Sequence, residues 1–336
     1  MAPICRIYLF TYKRNLLLQR AIESLLAQTN KNWICELHND CPEDDFPGEY
    51  LDSIADQRFI LKQHELNLGP TKSFNLAYQG CSEKYASILE DDNWWEPDFL
   101  ATCITLLESR PEIPICWSNM YTWQEQTDHT WLPKHQTIWP VKNDLIFDWP
   151  DMRQALGALH SNGAMMWRSK NATKYIIPDQ ALFNAVELIR ERSFDYPIYL
   201  IAKPLANYSF TRHTHQSKDT WEWTGVQIMM LESFLQNRTN KKDVADLCRY
   251  YFSVNYNNLL IFTLSRFRKL MPLKFKLFGQ LIKYKWLLGN PGLYKRLKTY
   301  LSKQKQTEQF LIEQTEKRSF HENSDQRKLR STFTVK

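Results

Sequence analysis

The strongest constraint on the fold is a change of hydrophobic period that recurs from Ile4 to Ser109. Short apolar runs at Ile4–Phe10, Trp33–Leu37, Arg58–Lys62 and Tyr85–Leu89 have the length and side-chain content of strands. Between them, Asn15–Gln28 sets Leu17, Leu18, Ala21, Ile22, Leu25 and Leu26 on one helical face. Gly69–Gln79 and Pro97–Ser109 read as two more helices, the second with Pro in its first turn. Strand alternating with helix predicts a mostly parallel α/β sheet, flanked by helices and joined by right-handed crossovers. A strand at Ala164–Trp167, a helix at Gln180–Arg192 and a strand at Ile198–Ile201 complete this unit, taken to span residues 1–217. Pro111 to Pro150, with tryptophans scattered among polar residues, shows neither period clearly.

In open α/β sheets ligands bind outside the carboxyl ends of the strands. Three such ends carry notable residues: Thr11-Tyr12-Lys13-Arg14, Asn39-Asp40 and Glu90-Asp91-Asp92. Two carboxylates a few Å apart repel by about 4 kcal/mol at an effective dielectric near 20. They therefore share a proton or hold a cation, and hard oxygen ligands favour Mn²⁺ or Mg²⁺. The alternative is a solvated acid cluster at a helix start, where the helix dipole welcomes negative charge. Spacing alone leaves both open.

The surrounding residues narrow the choice. Ile7–Arg14 with the following helix to Gln28-Thr29, then Asn39-Asp40, Asn67-Leu68-Gly69-Pro70, and Leu89-Glu90-Asp91-Asp92-Asn93-Trp94-Trp95-Glu96-Pro97-Asp98-Phe99-Leu100 occur in that order. Together they resemble the family 2 inverting glycosyltransferases, enzymes of the GT-A fold that use nucleotide-sugar donors. The resemblance implies that Thr11, Tyr12 and Arg14 line the nucleotide pocket and that Asp40 accepts a hydrogen bond from the base. It implies that Glu90-Asp91-Asp92 is the Asp-x-Asp motif, with Asp91 near the ribose and Asp92 and Glu90 on the metal. Glu90 departs from the usual first Asp. Ser73-Phe74-Asn75 stands where the family has Ala-Arg-Asn, so Lys72 becomes the candidate for the missing charge.

Ser161–Arg168 resembles the family's small-residue strand, and Pro178-Asp179-Gln180 opens the next helix. The resemblance makes Asp179 the general base, with Glu187 the alternative; an N-cap is the plainer reading of Asp179. Arg212-His213-Thr214-His215 is similar to the family's Y-R-x-H segment, which nominates His215 and His213 for the metal or the diphosphate.

The net charge of +6 conceals an asymmetry. Residues 247–305 carry 13 Lys or Arg and no Asp or Glu, which leaves −7 on the remainder. Residues 218–305 read as a helical basic region, and 306–336 as a polar tail expected to be disordered. Aromatic and basic residues interleaved over 247–305 suit an anionic membrane surface or a dimer contact, and no nucleic-acid module accompanies them. Seven cysteines without a CxxC pair, and no apolar run near the roughly 18 residues needed to span a bilayer, predict a cytoplasmic protein, peripheral at most on the inner membrane face. The expected activity is transfer of a sugar from a UDP-sugar to a glycan or lipid-linked acceptor. The rivals are a degenerate carbohydrate- or membrane-binding scaffold and a nucleotidyltransferase, the latter disfavoured because Leu9–Arg14 contains no Gly.

Overall fold

The computed structural model describes residues 2–147, 162–177, 186–191, 194–195 and 197–212. Asp179, His213, His215 and the expected regions 218–305 and 306–336 lie outside these residues. All described residues belong to one compact unit.

The chain runs β1 (Cys5–Thr11), α1 (Asn15–Leu26), β2 (Trp33–Asn39), α2 (Phe46–Ile54), β3 (Phe59–Gln63), α3 (Pro70–Leu76) and β4 (Tyr85–Glu90). A two-residue β5 (Trp94–Trp95), α4 (Phe99–Ser109), β6 (Ile115–Glu125), β7 (Trp131–Thr137) and β8 (Leu145–Phe147) follow. A 3-10 turn at Asn162–Ala164 leads into β9 (Met165–Arg168), then α5 (Val186–Glu191) and β10 (Ile198–Phe210).

These strands form a single 10-stranded sheet of order β3-β2-β1-β4-β9-β6-β10-β5, with β7 on β6 and β8 on β10. The expectation of a mostly parallel sheet needs correction, because the sheet is mixed. The half formed by β3, β2, β1 and β4 is parallel. β9 then runs antiparallel to both β4 and β6, and β5, β7 and β8 also pair antiparallel. The strands that break the parallel rule are short or exposed. β5 has two residues, β8 three, and β7 is solvent-facing along most of its length, so these three carry no buried apolar run to announce them; β9 is a buried apolar run, but its direction is not written in its residues.

β1 is apolar throughout because both of its faces are covered, as parallel strands in α/β sheets require. Cys5, Ile7 and Leu9 join one core with Leu18, Ile22 and Leu25 of α1 and Phe99, Leu100 and Leu107 of α4. On the other face, Phe10 stacks on His38 and meets Phe74 of α3 edge-on. The helix α1 is locked by its last polar residues. Gln28, fully buried, donates from Nε2 to the carbonyls of Ser24 and Glu96 and accepts from the Leu100 amide at Oε1. Ser24 Oγ accepts from the Trp95 amide. The Ser-Leu-Leu-Ala-Gln stretch thus fixes the segment that follows the acidic triplet. The six cysteines among the described residues are unpaired, and five of them are buried. Among the described residues no helix is long and apolar enough to cross a membrane.

Candidate functional site

β1 lies between β2 and β4 in a register that aligns Thr11 with Asn39 and Phe10 with Glu90. The three strand ends singled out in the sequence therefore share one edge of the sheet. At the end of β1 the chain turns sharply, and Lys13 takes a left-handed φ of 56°. This conformation costs a non-glycine residue of order 1 kcal/mol and requires support. The support is Asp91. Its Oδ2 accepts from Thr11 Oγ1 at 2.9 Å and from the Tyr12 amide at 3.3 Å, while Arg14 Nη1 reaches Oδ1 at 3.3 Å. Thr11 is buried against Asp91, and Tyr12 is exposed.

Arg14 Nη1 also donates to Asp92 Oδ2 at 2.6 Å. Glu90 takes a different partner: its Oε2 accepts from Asn93 Nδ2 at 2.7 Å. Asn93 is the hub of this turn. Its own amide bonds the Glu90 carbonyl, and its Oδ1 accepts from the Ser209 amide of β10 at 3.0 Å. Gly163 packs against the same pair. A Cβ there would meet Glu90 Oε2 at 3.0 Å and Asn93 Nδ2 at 3.1 Å. The Gly163 carbonyl accepts from Trp95 Nε1 at 2.6 Å.

Burial dominates the electrostatics of the triplet. It raises Glu90 well above the ordinary carboxylate range, helped by the charges of Asp92, Glu187 and Asp91. Burial, and then Asp92, pushes Asp91 up to about 7, against the pull of Arg14 and the Thr11 hydroxyl. Asp92 is raised by burial and held down by Arg14. Glu187 on α5 is thus close enough to act on Glu90. Tyr208 of β10 also faces this charge: burial first, then Glu90, Glu187 and Asp92, raises its hydroxyl.

The Asp40 side of the edge is built around a loop. Asp40 Oδ1 accepts from the Leu68 amide at 2.8 Å and faces His64 Nδ1 at 2.9 Å, while Oδ2 accepts from the Gly69 amide at 2.9 Å. Gly69 has φ 77°, a conformation that favours glycine, and Pro70 then starts α3. Asp40 therefore fixes Asn67-Leu68-Gly69 beside the end of β2, and keeps lone-pair capacity beyond these three contacts. Lys72 is exposed on α3, away from any described partner. Phe74, at the position of the Arg in the Ala-Arg-Asn pattern, is half-buried against Phe10.

The structure thus brings Thr11, Tyr12, Arg14, Asp91, Asp92, Glu90 and Glu187 to one neighbourhood, with Asp40 on the same sheet edge. Sequence reasoning missed Arg20, Asn93, Gly163 and Tyr208. Asn93 adjoins the triplet and could have been suspected. Arg20 gave no signal, since the helical period sets it opposite Leu18, Ala21, Ile22 and Leu25.

The donor set suits a hard divalent cation. Its atoms are carboxylate oxygens that burial and mutual repulsion leave short of positive charge, and Arg14 now supplies that charge to Asp92. Among the described residues no group of three or more His, Cys, Asp or Glu side chains forms a ready metal cage. The fit is to an ion held by one or two carboxylates and completed by substrate phosphates.

In α/β proteins with a sheet edge of this kind, ligands bind across the carboxyl ends of the central parallel strands. Residues 7–169, just under half of the chain, match the family model "Glycosyl transferase family 2". WcaA of Escherichia coli (strain K12), named as a colanic acid biosynthesis glycosyl transferase, is 26% identical over 123 residues. The match covers 36% of this chain and 44% of that protein, so the chain spans less than half the length of this relative. Among solved structures, S. aureus TarS 1-349 shares the fold, with TM-score 0.56 and 13% identity over 84% of this chain and 80% of that one. The same protein in complex with UDP-GlcNAc superposes with TM-score 0.55, at the same identity and coverage.

Proposed function

We propose that the chain is a metal-assisted, inverting glycosyltransferase of the GT-A type. It moves a sugar from a UDP-sugar to a glycan or lipid-linked acceptor in polysaccharide biosynthesis. One observation carries the reading: a buried carboxylate triplet ends β4 beside Thr11 at the end of β1 and Arg14 just after it, inside the stretch that matches the Glycosyl transferase family 2 model. The name of WcaA and the UDP-GlcNAc complex of TarS support the choice of acceptor and donor class.

In this reading Tyr12 and the loop held by Asp40 receive the nucleoside, and Asp91 keeps the β1 turn in shape beneath the ribose. Mn²⁺ or Mg²⁺ on Asp92 and Glu90, with His215 or His213 as further ligands, would neutralise the departing diphosphate. Arg14 adds a fixed positive charge beside it. A carboxylate removes the proton from the acceptor hydroxyl as its oxygen bonds to the anomeric carbon. The bond from that carbon to the diphosphate breaks on the opposite face, and the configuration inverts. Asp179 is the proposed base, with Glu187, whose charge acts on Glu90, as the alternative. The basic segment 247–305 would hold the protein at an anionic membrane surface where a lipid-linked acceptor is presented.

The test is a nucleotide-sugar panel with and without Mn²⁺, read as nucleoside diphosphate release. Mn²⁺-stimulated release with a UDP-sugar is expected, and its loss in Asp92→Asn. No stimulated turnover or binding with any donor would refute the function. Glu187→Gln and Asp179→Asn separate the bases: the true one binds donor normally but no longer transfers. Salt-sensitive flotation with anionic liposomes checks the membrane role.

A further inference from the structure

Arg20 leaves the polar face of α1 and enters an aromatic slot. Its guanidinium carbon lies 3.9 Å from the Trp94 ring centroid and 4.4 Å from that of Trp131. The two indoles meet edge to face at 71°, and in the corner they form, Nη2 donates to the main-chain carbonyl of Asp92 at 2.8 Å and to Ser209 Oγ at 3.1 Å. Nε is buried without a hydrogen-bond partner. Trp131 opens β7, paired opposite Glu125 of β6, and Trp94 also packs on Trp123 of β6. Trp123 Nε1 in turn donates to Asn207 Oδ1 on β10 at 2.8 Å.

One cation therefore joins α1, the acidic turn, the β6–β7 hairpin and β10. A cation gripped by two ring faces is worth more as water is excluded, and the planar fork suits two acceptors at once. Burial lowers the guanidinium to about 10, which leaves it charged at neutral pH, and its charge stabilises ionised Asp92. The tryptophans here spend their faces on Arg20 rather than on an open crevice.

We propose that Arg20 is the positioning residue of the acidic turn: it holds the Asp92 backbone so that the Asp92 side chain points at the donor, and Trp131 makes that hold depend on the β6–β7 hairpin. The inference deepens the glycosyltransferase reading and rests on it for the identity of the ligand. The positioning itself can be read without any ligand.

Arg20→Lys keeps the charge but loses the stacked fork; Trp131→Ala removes one wall of the slot, and Ser209→Ala one acceptor. Hydrogen exchange is followed in the peptide spanning 88–95, with β1 as internal reference. UDP binding in the presence of Mn²⁺ and uridine binding are measured alongside. In Arg20→Lys, exchange at 91–95 should quicken about tenfold and Mn²⁺–UDP binding weaken about tenfold, the worth of one charge-assisted hydrogen bond. Uridine binding, which does not engage Asp92, should change less than about twofold, and Trp131→Ala should show a smaller effect of the same sign. Unchanged exchange at 91–95 in both Arg20→Lys and Trp131→Ala overturns the proposal, as does equal loss of uridine and Mn²⁺–UDP binding. Should Arg20→Lys fail to fold, Trp131→Ala and Ser209→Ala decide by the same readouts. Wild-type protein that binds no uridine nucleotide refutes the proposed function, while the exchange measurement still judges Arg20.

Discussion

Asn93 offers the sharpest test of the electrostatics beneath the acidic turn. Its Oδ1 accepts from the Ser209 amide, and its Nδ2 donates to Glu90 Oε2 at 2.7 Å. Asn93→Asp keeps the acceptor and replaces the donor with a second carboxylate oxygen. At that separation two full charges would repel by roughly 6 kcal/mol at an effective dielectric of 20, so the pair would retain a shared proton instead. Glu90 is already raised well above the ordinary carboxylate range by burial, so the pair favours keeping that proton. The sign follows from linkage. The variant's folded state holds a proton that its unfolded state has released above about pH 4, so its stability falls as pH rises. Each pH unit costs about 1.4 kcal/mol while that proton is kept, and the electrostatic ceiling limits the total. Urea unfolding should show Asn93→Asp within about 1 kcal/mol of wild type at pH 5 and about 3 kcal/mol further below it at pH 8. Asn93→Ala serves as the control. It leaves the Ser209 amide unsatisfied and removes the donor to Glu90, and should cost about 2 kcal/mol without adding a second carboxylate to the pair. Equal destabilisation of Asn93→Asp at pH 5 and pH 8 would refute the reasoning, because Glu90 could not then be sharing a proton with the new group.

Other consequences can be checked separately. Gly163→Ala places a methyl 3.0 Å from Glu90 Oε2, and overpacking of this kind should cost about 1–3 kcal/mol in thermal unfolding and weaken nucleotide binding; an unchanged melting temperature would count against the close packing. Arg14→Met removes the cation now paired with Asp92, whose partner side chain is 39% exposed, so Mn²⁺ affinity at pH 8 should rise about fivefold by paramagnetic resonance titration. Weaker Mn²⁺ binding in that variant would mean that Arg14 does not compete for the carboxylates. Burial, followed by the charges of His64 and Lys62, lowers His38 to about 4. The folded state then refuses a proton that the unfolded chain accepts below about 6.5, and stability should fall by about 3 kcal/mol between pH 6.5 and 4. His38→Phe should lose that portion of the pH dependence in urea titrations, and a curve parallel to wild type would exclude His38 as its source.

The parallel half of the sheet was legible because its signals are local. β1, β2 and β4 are short runs buried on both faces, and α1 shows its stripe within four turns. Helix α2 escaped because Phe46–Ile54 contains a Pro and a Gly and buries little. β6 escaped because Ile115–Glu125 passes from a fully buried stretch to a half-exposed one. The acidic triplet and Asp40 could be placed at a sheet edge from topology alone. What they bond to could not, because Arg20 meets the Asp92 carbonyl while Trp131 and Ser209 meet Arg20, from segments up to 189 residues apart.

By itself the sequence determined which strands would lie at the centre, that their carboxyl ends would carry Thr11, Asp40 and Asp92, and that three adjacent carboxylates would require compensation. Periodicity and like-charge repulsion act over a few residues, so both can be read along the chain. Only the tertiary structure decided who compensates whom: Arg14 on Asp92, Thr11 on Asp91, Asn93 on Glu90, and Arg20 beneath the turn. Those pairings depend on burial and on angstrom-scale approach between distant segments. A charge's partner is fixed by whichever group reaches it once water has been excluded, and that is settled when the sheet has closed around the turn.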